Sequence, residues 1–169
     1  QQSIKDKDAR TLFRLALESC VGIRETSNNS GPMVELIQET LGGADNEAWC
    51  MSLQQTGLAY AELKTGIKSL VFPSEHCMTV WNETPSSMRV KRIPAIGAIC
   101  IWRHGTSSSG HTGCTISDVN GTMVHLVEGN TESGLSGDEV VREGGGVYIT
   151  RRSITGTGNM RVVGFLKPF

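Results

Sequence analysis

The spacing of apolar residues changes once along this chain, from the three-or-four step of a helix to the two step of a strand. Ahead of the change, Ala9, Leu12, Phe13, Ala16 and Cys20 fall on one face of a helix ending near Val21-Gly22. Pro32 stands where a first helical residue belongs, Met33, Leu36, Ile37 and Leu41 supply an apolar face, and Gly42-Gly43 stops that helix. A third helix is predicted from about Ala48 to Lys64, closed by Gly66, and a short amphipathic stretch from Ser74 to Trp81 ends before Pro85. From Pro94 onward the segments Ala98 to Arg103, His111 to Asp118, Thr122 to Glu128, Gly146 to Arg152 and Met160 to Leu166 read as strands. Helices followed by a run of antiparallel strands predict an α+β domain, N-terminal helices packed on a C-terminal antiparallel sheet.

With 169 residues, one domain with a real core is expected. The chain begins at Gln1 rather than Met, as a processed or truncated chain would, and residues 1–8 are expected to form a flexible lead. Residues 131–145, rich in Gly and charge, read as a mobile rim loop. The balance of 16 basic against 17 acidic residues argues against a nucleic-acid binder. No run of eighteen apolar residues spans a membrane, and no apolar segment near Gln1 marks an uncleaved signal peptide.

Five cysteines, at 20, 50, 77, 100 and 114, leave at least one unpaired, and none sits in a Cys-x-x-Cys pair. Most cysteines are small buried hydrophobes. Cys50 differs because it falls in the first turn of the third predicted helix, where the macrodipole and unpaired N–H groups favour a thiolate. Cys20 lies inside an apolar helix face, Cys100 within a strand, and Cys77 on the short amphipathic stretch with no helix start beneath it. Cys114 points to the sheet face opposite His111.

Asn120-Gly121 is the strongest short hairpin signal in the chain. A two-residue turn there sets Val119 against Thr122, and the pairing runs back to Gly113 against Glu128 and His111 against Asn130. Opposed residues share a sheet face, so His111, Glu128 and Asn130 share one, with His111 and Glu128 roughly 7 Å apart at Cα. Gly113 would leave room beside Glu128 for an imidazole, and a bulge near Gly129 would shift part of this register. A His beside a carboxylate and an amide is an oriented base; the carboxylate fixes the ring's proton and stabilises the imidazolium. A zinc site built from His104, His111 and Cys114 lacks ligands at finger spacing. His76 and His125 have no partner in this register, and Trp49, Trp81 and Trp102 suit core or groove wall.

The segments Ala48-Trp49-Cys50-Met51-Ser52, Gly97-Ala98-Ile99, Gly110-His111-Thr112-Gly113 and Val127-Glu128-Gly129-Asn130, in this order, resemble the CHAP (cysteine, histidine-dependent amidohydrolase/peptidase) domains of the wider papain-like group, and the gaps are similar to those of phage and bacterial wall lysins. The resemblance covers roughly residues 10 to 167. It implies a papain-like fold with Cys50 as nucleophile, His111 as general base, Glu128 orienting His111, and Asn130 as a further polar partner. The implied reaction is hydrolysis of an amide in peptidoglycan, as an N-acetylmuramoyl-L-alanine amidase or a peptide endopeptidase, at the bacterial cell wall and by a monomer. Some relatives bind calcium through an acidic loop before the nucleophile. Asp45, Asn46 and Glu47 carry oxygen there, but the alternating ligand pattern is incomplete, so no cofactor is expected. Two other functions fit the same residues: a wall-binding module that has lost turnover, against which the intact Cys50, His111 and Glu128 speak, and a papain-like amidase of a small conjugate.

Overall fold

A computed structural model describes residues 2–132, 144–156 and 158–169. Most of the expected rim loop, 131–145, lies outside them. Helix α1 spans Gln2–Ser19, α2 Pro32–Gln38, α3 Cys50–Thr65 and α4 Cys77–Glu83. Strands β1 to β6 span Arg89–Val90, Ile99–His104, Gly110–Thr115, Met123–Thr131, Gly146–Ser153 and Met160–Leu166. They form one antiparallel sheet in the order β1-β6-β2-β3-β4-β5. The chain is an α+β protein with its helices N-terminal and its strands C-terminal.

α1 reaches back to Gln2, through most of the stretch expected as a lead. Residues 2–8 contain neither Gly nor Pro to stop a helix. α2 continues into a 3-10 turn, Glu39–Leu41, which ends on Gly42 at φ 74°. α3 ends on Gly66 at φ 71°, a left-handed position that glycine occupies without cost. β1, two residues long, is too short to carry a periodic signal.

α3 is the central helix, buried on most of its circumference. It lies against α1 across Gly57, where an added Cβ would stand 2.9 Å from Leu17 Cδ2 and 3.1 Å from Phe13 Cδ2. Phe13, Leu17, Met51 and Leu53 share a core with Ile99, Ile101, Cys114, Val127 and Leu166 from one face of the sheet. The other face carries a second core of Cys100, Trp102, Val124, Leu126, Met160 and Phe165. No helical residue belongs to it, so the strands and their connections enclose it. His111 pairs with Trp102 on this second face, with ring centroids 5.7 Å apart.

The β3-β4 hairpin keeps the expected register but not the expected turn. Asn120 and Met123 exchange both backbone bonds, at 2.8 and 3.0 Å, so Gly121 and Thr122 form the two-residue loop. Gly121, at φ 64°, takes the first central position that such mirror-image turns reserve for glycine. Ser117, Asp118 and Val119 then lie opposite Val124 alone. That bulge restores the pairing of Ile116 with His125, Thr115 with Leu126 and Cys114 with Val127, the same pairs that a turn at Asn120-Gly121 implies. A second irregularity falls on β4 between Glu128 and Thr131, where Asn130 takes φ 54°.

Candidate active site

Trp49 occupies the N-cap position of α3 and provides no side-chain cap. The N–H groups of Cys50 and Met51 at the helix start are therefore left for another acceptor. The indole itself is tied down: Nε1 donates to Glu25 Oε1 at 2.8 Å, and Glu25 Oε2 accepts from the Asn29 backbone at 2.9 Å. Gln38 Nε2 donates to the carbonyls of Asn29 (3.0 Å) and Glu47 (2.7 Å), which clamps the loop before α3 against the loop before α2. Gly129 lets β4 approach the helix start; a Cβ there would fall 2.7 Å from Leu53 Cδ2 and 2.9 Å from Trp49 Cζ3.

This approach brings Cys50 near enough to His111 for each to shift the other's titration, while His111 Nδ1 is buried without a hydrogen-bond partner among the described residues. His111 and Glu128 are both fully buried, and His111 Nε2 stands 2.9 Å from Glu128 Oε2. With Nε2 engaged by the carboxylate, Nδ1 is the nitrogen left for the sulfur. Gly113 does make room beside Glu128, but Glu128 itself uses it: a Cβ on Gly113 would lie 2.7 Å from Glu128 Cγ.

Glu128 is held from its far side as well. Arg152 donates from Nε to Oε1 at 2.9 Å and from its terminal nitrogen to Oε2 at 3.0 Å, and the Thr150 hydroxyl donates to Oε1. Thr150 and Arg152 alternate along β5 opposite Leu126 and Val124. A single buried carboxylate thus accepts from an imidazole, a guanidinium and a hydroxyl, which fixes both of its oxygens.

The charges follow from these contacts. Burial disfavours an ionised Glu128, but the bonds and charges of His111 and Arg152 outweigh it and hold the carboxyl down at about 2. Burial would likewise lower His111, yet Cys50 and Glu128 lift it to about 9. The Cys50 thiol is held well below its ordinary value, first by the Cys77 thiol beside it, against the cost of burial, then by His111 and the backbone of Met51. Both shifts run toward the charged pair, a Cys50 thiolate beside a His111 imidazolium. Burial pushes the thiols of Cys20, Cys100 and Cys114 up, so they remain protonated.

Cys77 is placed differently from expectation. It is the first residue of α4, and its sulfur lies 3.9 Å from that of Cys50. The amphipathic pattern starts at Ser74, but residues 74–76 stay outside the helix and His76, in extended conformation, is the N-cap, which puts a helix start under Cys77 after all. Asn130 is buried one residue beyond Gly129, and its amide bonds neither His111 nor Glu128 among the described residues. The bulge and left-handed backbone break the alternation that would have set it opposite His111.

Cys50 and Cys77 open on a cleft of about 400 Å³ whose walls include Asn29, Glu47, Glu75 and Ser109. Lysine and arginine are missing from this lining, so the cleft is acidic. A second cavity of about 420 Å³ between α1 and α3 is mainly apolar, and its lining has neither histidine nor carboxylate. The acidic cleft is the one that holds carboxylates and a histidine beside the cysteines. Among the described residues no group of three or more His, Cys, Asp or Glu side chains is placed to hold a metal ion. No described helix is long and apolar enough to cross a membrane. No family model matches the chain, and no curated protein matches it.

Proposed function

We propose that this chain is a cysteine amidohydrolase of peptidoglycan, cleaving either the N-acetylmuramoyl-L-alanine amide or a peptide bond of the stem at the bacterial cell wall. The observation that carries the reading is the line of contacts from Cys50, at a helix start on an open cleft, to His111 and on to Glu128, in the order of the CHAP-like motifs. In this scheme the thiolate attacks the amide carbonyl, and the oxygen that gains charge is met by the backbone N–H of Cys50 at the start of α3. His111 gives its Nδ1 proton to the leaving amine as the C–N bond breaks, leaving a thioester on Cys50. The neutral imidazole then takes a proton from water, the hydroxide oxygen displaces the sulfur, and thiolate and imidazolium return.

Glu128 keeps the ring turned with Nδ1 toward the sulfur, and Arg152 and Thr150 keep Glu128 in place as positioning residues. The experiment is digestion of purified sacculi followed by mass analysis of the released fragments. Soluble muropeptides with a new amine and carboxylate are expected from the native protein and not from Cys50→Ala. Equal fragments from both would overturn the proposal. The mass and end group of the product decide between the two bonds.

A further inference from the structure

Nothing in the hydrolytic scheme needs a second thiol at the nucleophile, yet one is built in. Cys77 is 5% exposed and Cys50 6% exposed, and both line the same cleft, where a small oxidant can reach them. Their sulfurs are 3.9 Å apart, while the other three cysteines make no sulfur–sulfur contact among the described residues. Cys77 is also pinned at this spot. Gly110, the first residue of β3, packs against it so closely that a Cβ there would stand 3.0 Å from Cys77 Cβ and 2.5 Å from the Trp102 carbonyl oxygen. A side chain at 110 would push α4, and Cys77 with it, away from Cys50.

We propose that Cys50 and Cys77 form a reversible disulfide that takes the nucleophile out of action and shields it from irreversible oxidation by hydroperoxides. The consequence for turnover rests on the hydrolase reading; the disulfide itself does not. In the first step the Cys50 thiolate attacks a peroxide oxygen, the O–O bond breaks, and Cys50 becomes a sulfenic acid as hydroxide departs. In the second, the Cys77 sulfur attacks the Cys50 sulfur; an S–S bond forms, the S–O bond breaks, and the Cys77 proton leaves with the oxygen as water. Two thiols are oxidised and one hydroperoxide is reduced.

To reach bonding distance the sulfurs must approach by roughly 1.9 Å, a move within the range of side-chain rotation at two cysteines facing one cleft. Before oxidation the two groups are complementary. The hydrogen bond with Cys50, then burial and the Cys50 charge, push the Cys77 thiol well up, so Cys77 stays a neutral S–H that supports the thiolate. Once Cys50 is a sulfenic acid that charge is gone and Cys77 is freer to ionise and attack. A dithiol reductant reverses the bond.

The test treats the folded protein with hydrogen peroxide, blocks remaining thiols, and digests with trypsin without reductant. Peptide 25–64 holds Cys50 as its one cysteine and peptide 69–89 holds Cys77, so a disulfide appears as these two joined, lighter by two hydrogens than their sum. The native protein should give this species, lose alkylation at Cys50, and regain it with dithiothreitol. Cys77→Ser, which keeps the size of the side chain, should instead accumulate two or three oxygens on Cys50 and regain nothing.

Sulfinate on Cys50 of the native protein without joined peptides would overturn the proposal, as would full recovery by Cys77→Ser. The native measurement stands alone if the variant does not fold. Joined peptides in a protein that releases nothing from sacculi when reduced would sink the hydrolase reading and leave the disulfide standing; the reverse result would do the opposite.

Discussion

Replacing Glu128 by Gln keeps the shape of the side chain and removes its charge. His111 rises from 6.5 to about 9 although burial opposes it, which is a preference for imidazolium of about 3 kcal/mol shared between Cys50 and Glu128. If the carboxylate supplies about half, its loss lowers the imidazole by roughly one unit. Proton NMR of the His111 ring carbons against pH reads that titration, because the ring shifts follow its charge. The variant should titrate at roughly 8 where the native ring titrates at about 9.

Stability should fall too, since Arg152 is left buried against a neutral amide. Breaking a buried pair costs about 3–5 kcal/mol. For a chain of this length that is roughly a 10 °C drop in Tm. The titrations are compared well below the variant's Tm, with near-ultraviolet dichroism confirming a native fold. A folded Glu128→Gln whose His111 titrates with the native ring would refute the reasoning, because Glu128 would then contribute nothing to the imidazolium.

His111→Ala should slow alkylation of Cys50 by iodoacetamide, for which the thiolate is the reacting form, while His125→Ala should not, since His125 contacts Ser117 on an exposed part of the hairpin. Stability against pH follows from the same charges. Glu128 has its carboxyl depressed from 4.5 to about 2, so its contribution is present above 4.5 and is lost as pH falls through about 2. His111 taken alone contributes fully below 6.5 and loses its contribution as pH rises through about 9. Cys50, depressed from 9, gains over that same window, so the pair carries one proton throughout and the two trends offset. Urea denaturation should therefore show a plateau between pH 6.5 and 9 and a decline in strong acid; a steep fall across that plateau would contradict the ion pair.

The helix-to-strand change of period was enough to give the class, because each core face is built from long runs of regular spacing. The register of His111 with Glu128 was also legible, although the turn behind it was placed one residue early; the Ser117 to Val119 bulge absorbs the difference. Arg152 was not legible as a partner of Glu128. Residues 131–145 separate β4 from β5 without any short turn, so nothing in the sequence sets which β5 residue faces which β4 residue. Cys77 was missed because amphipathic spacing does not mark the first residue of a seven-residue helix, and His76 is not a side-chain capping residue. Asn130 was placed by strict alternation, which a left-handed residue in a bulge does not obey. Glu128 reads in sequence as equally suited to an exposed pair, and only its full burial between His111 and Arg152 distinguishes it.

The account depends on His111 being charged at neutral pH because it faces a thiolate. Nitrogen NMR of the reduced protein, labelled at its histidines, reads this directly. Both ring nitrogens of His111 should be protonated at pH 7, with titration near 9, and Cys50→Ala should lower that titration by roughly one unit. A native His111 with one bare nitrogen at pH 7, titrating at or below 6.5, would contradict it.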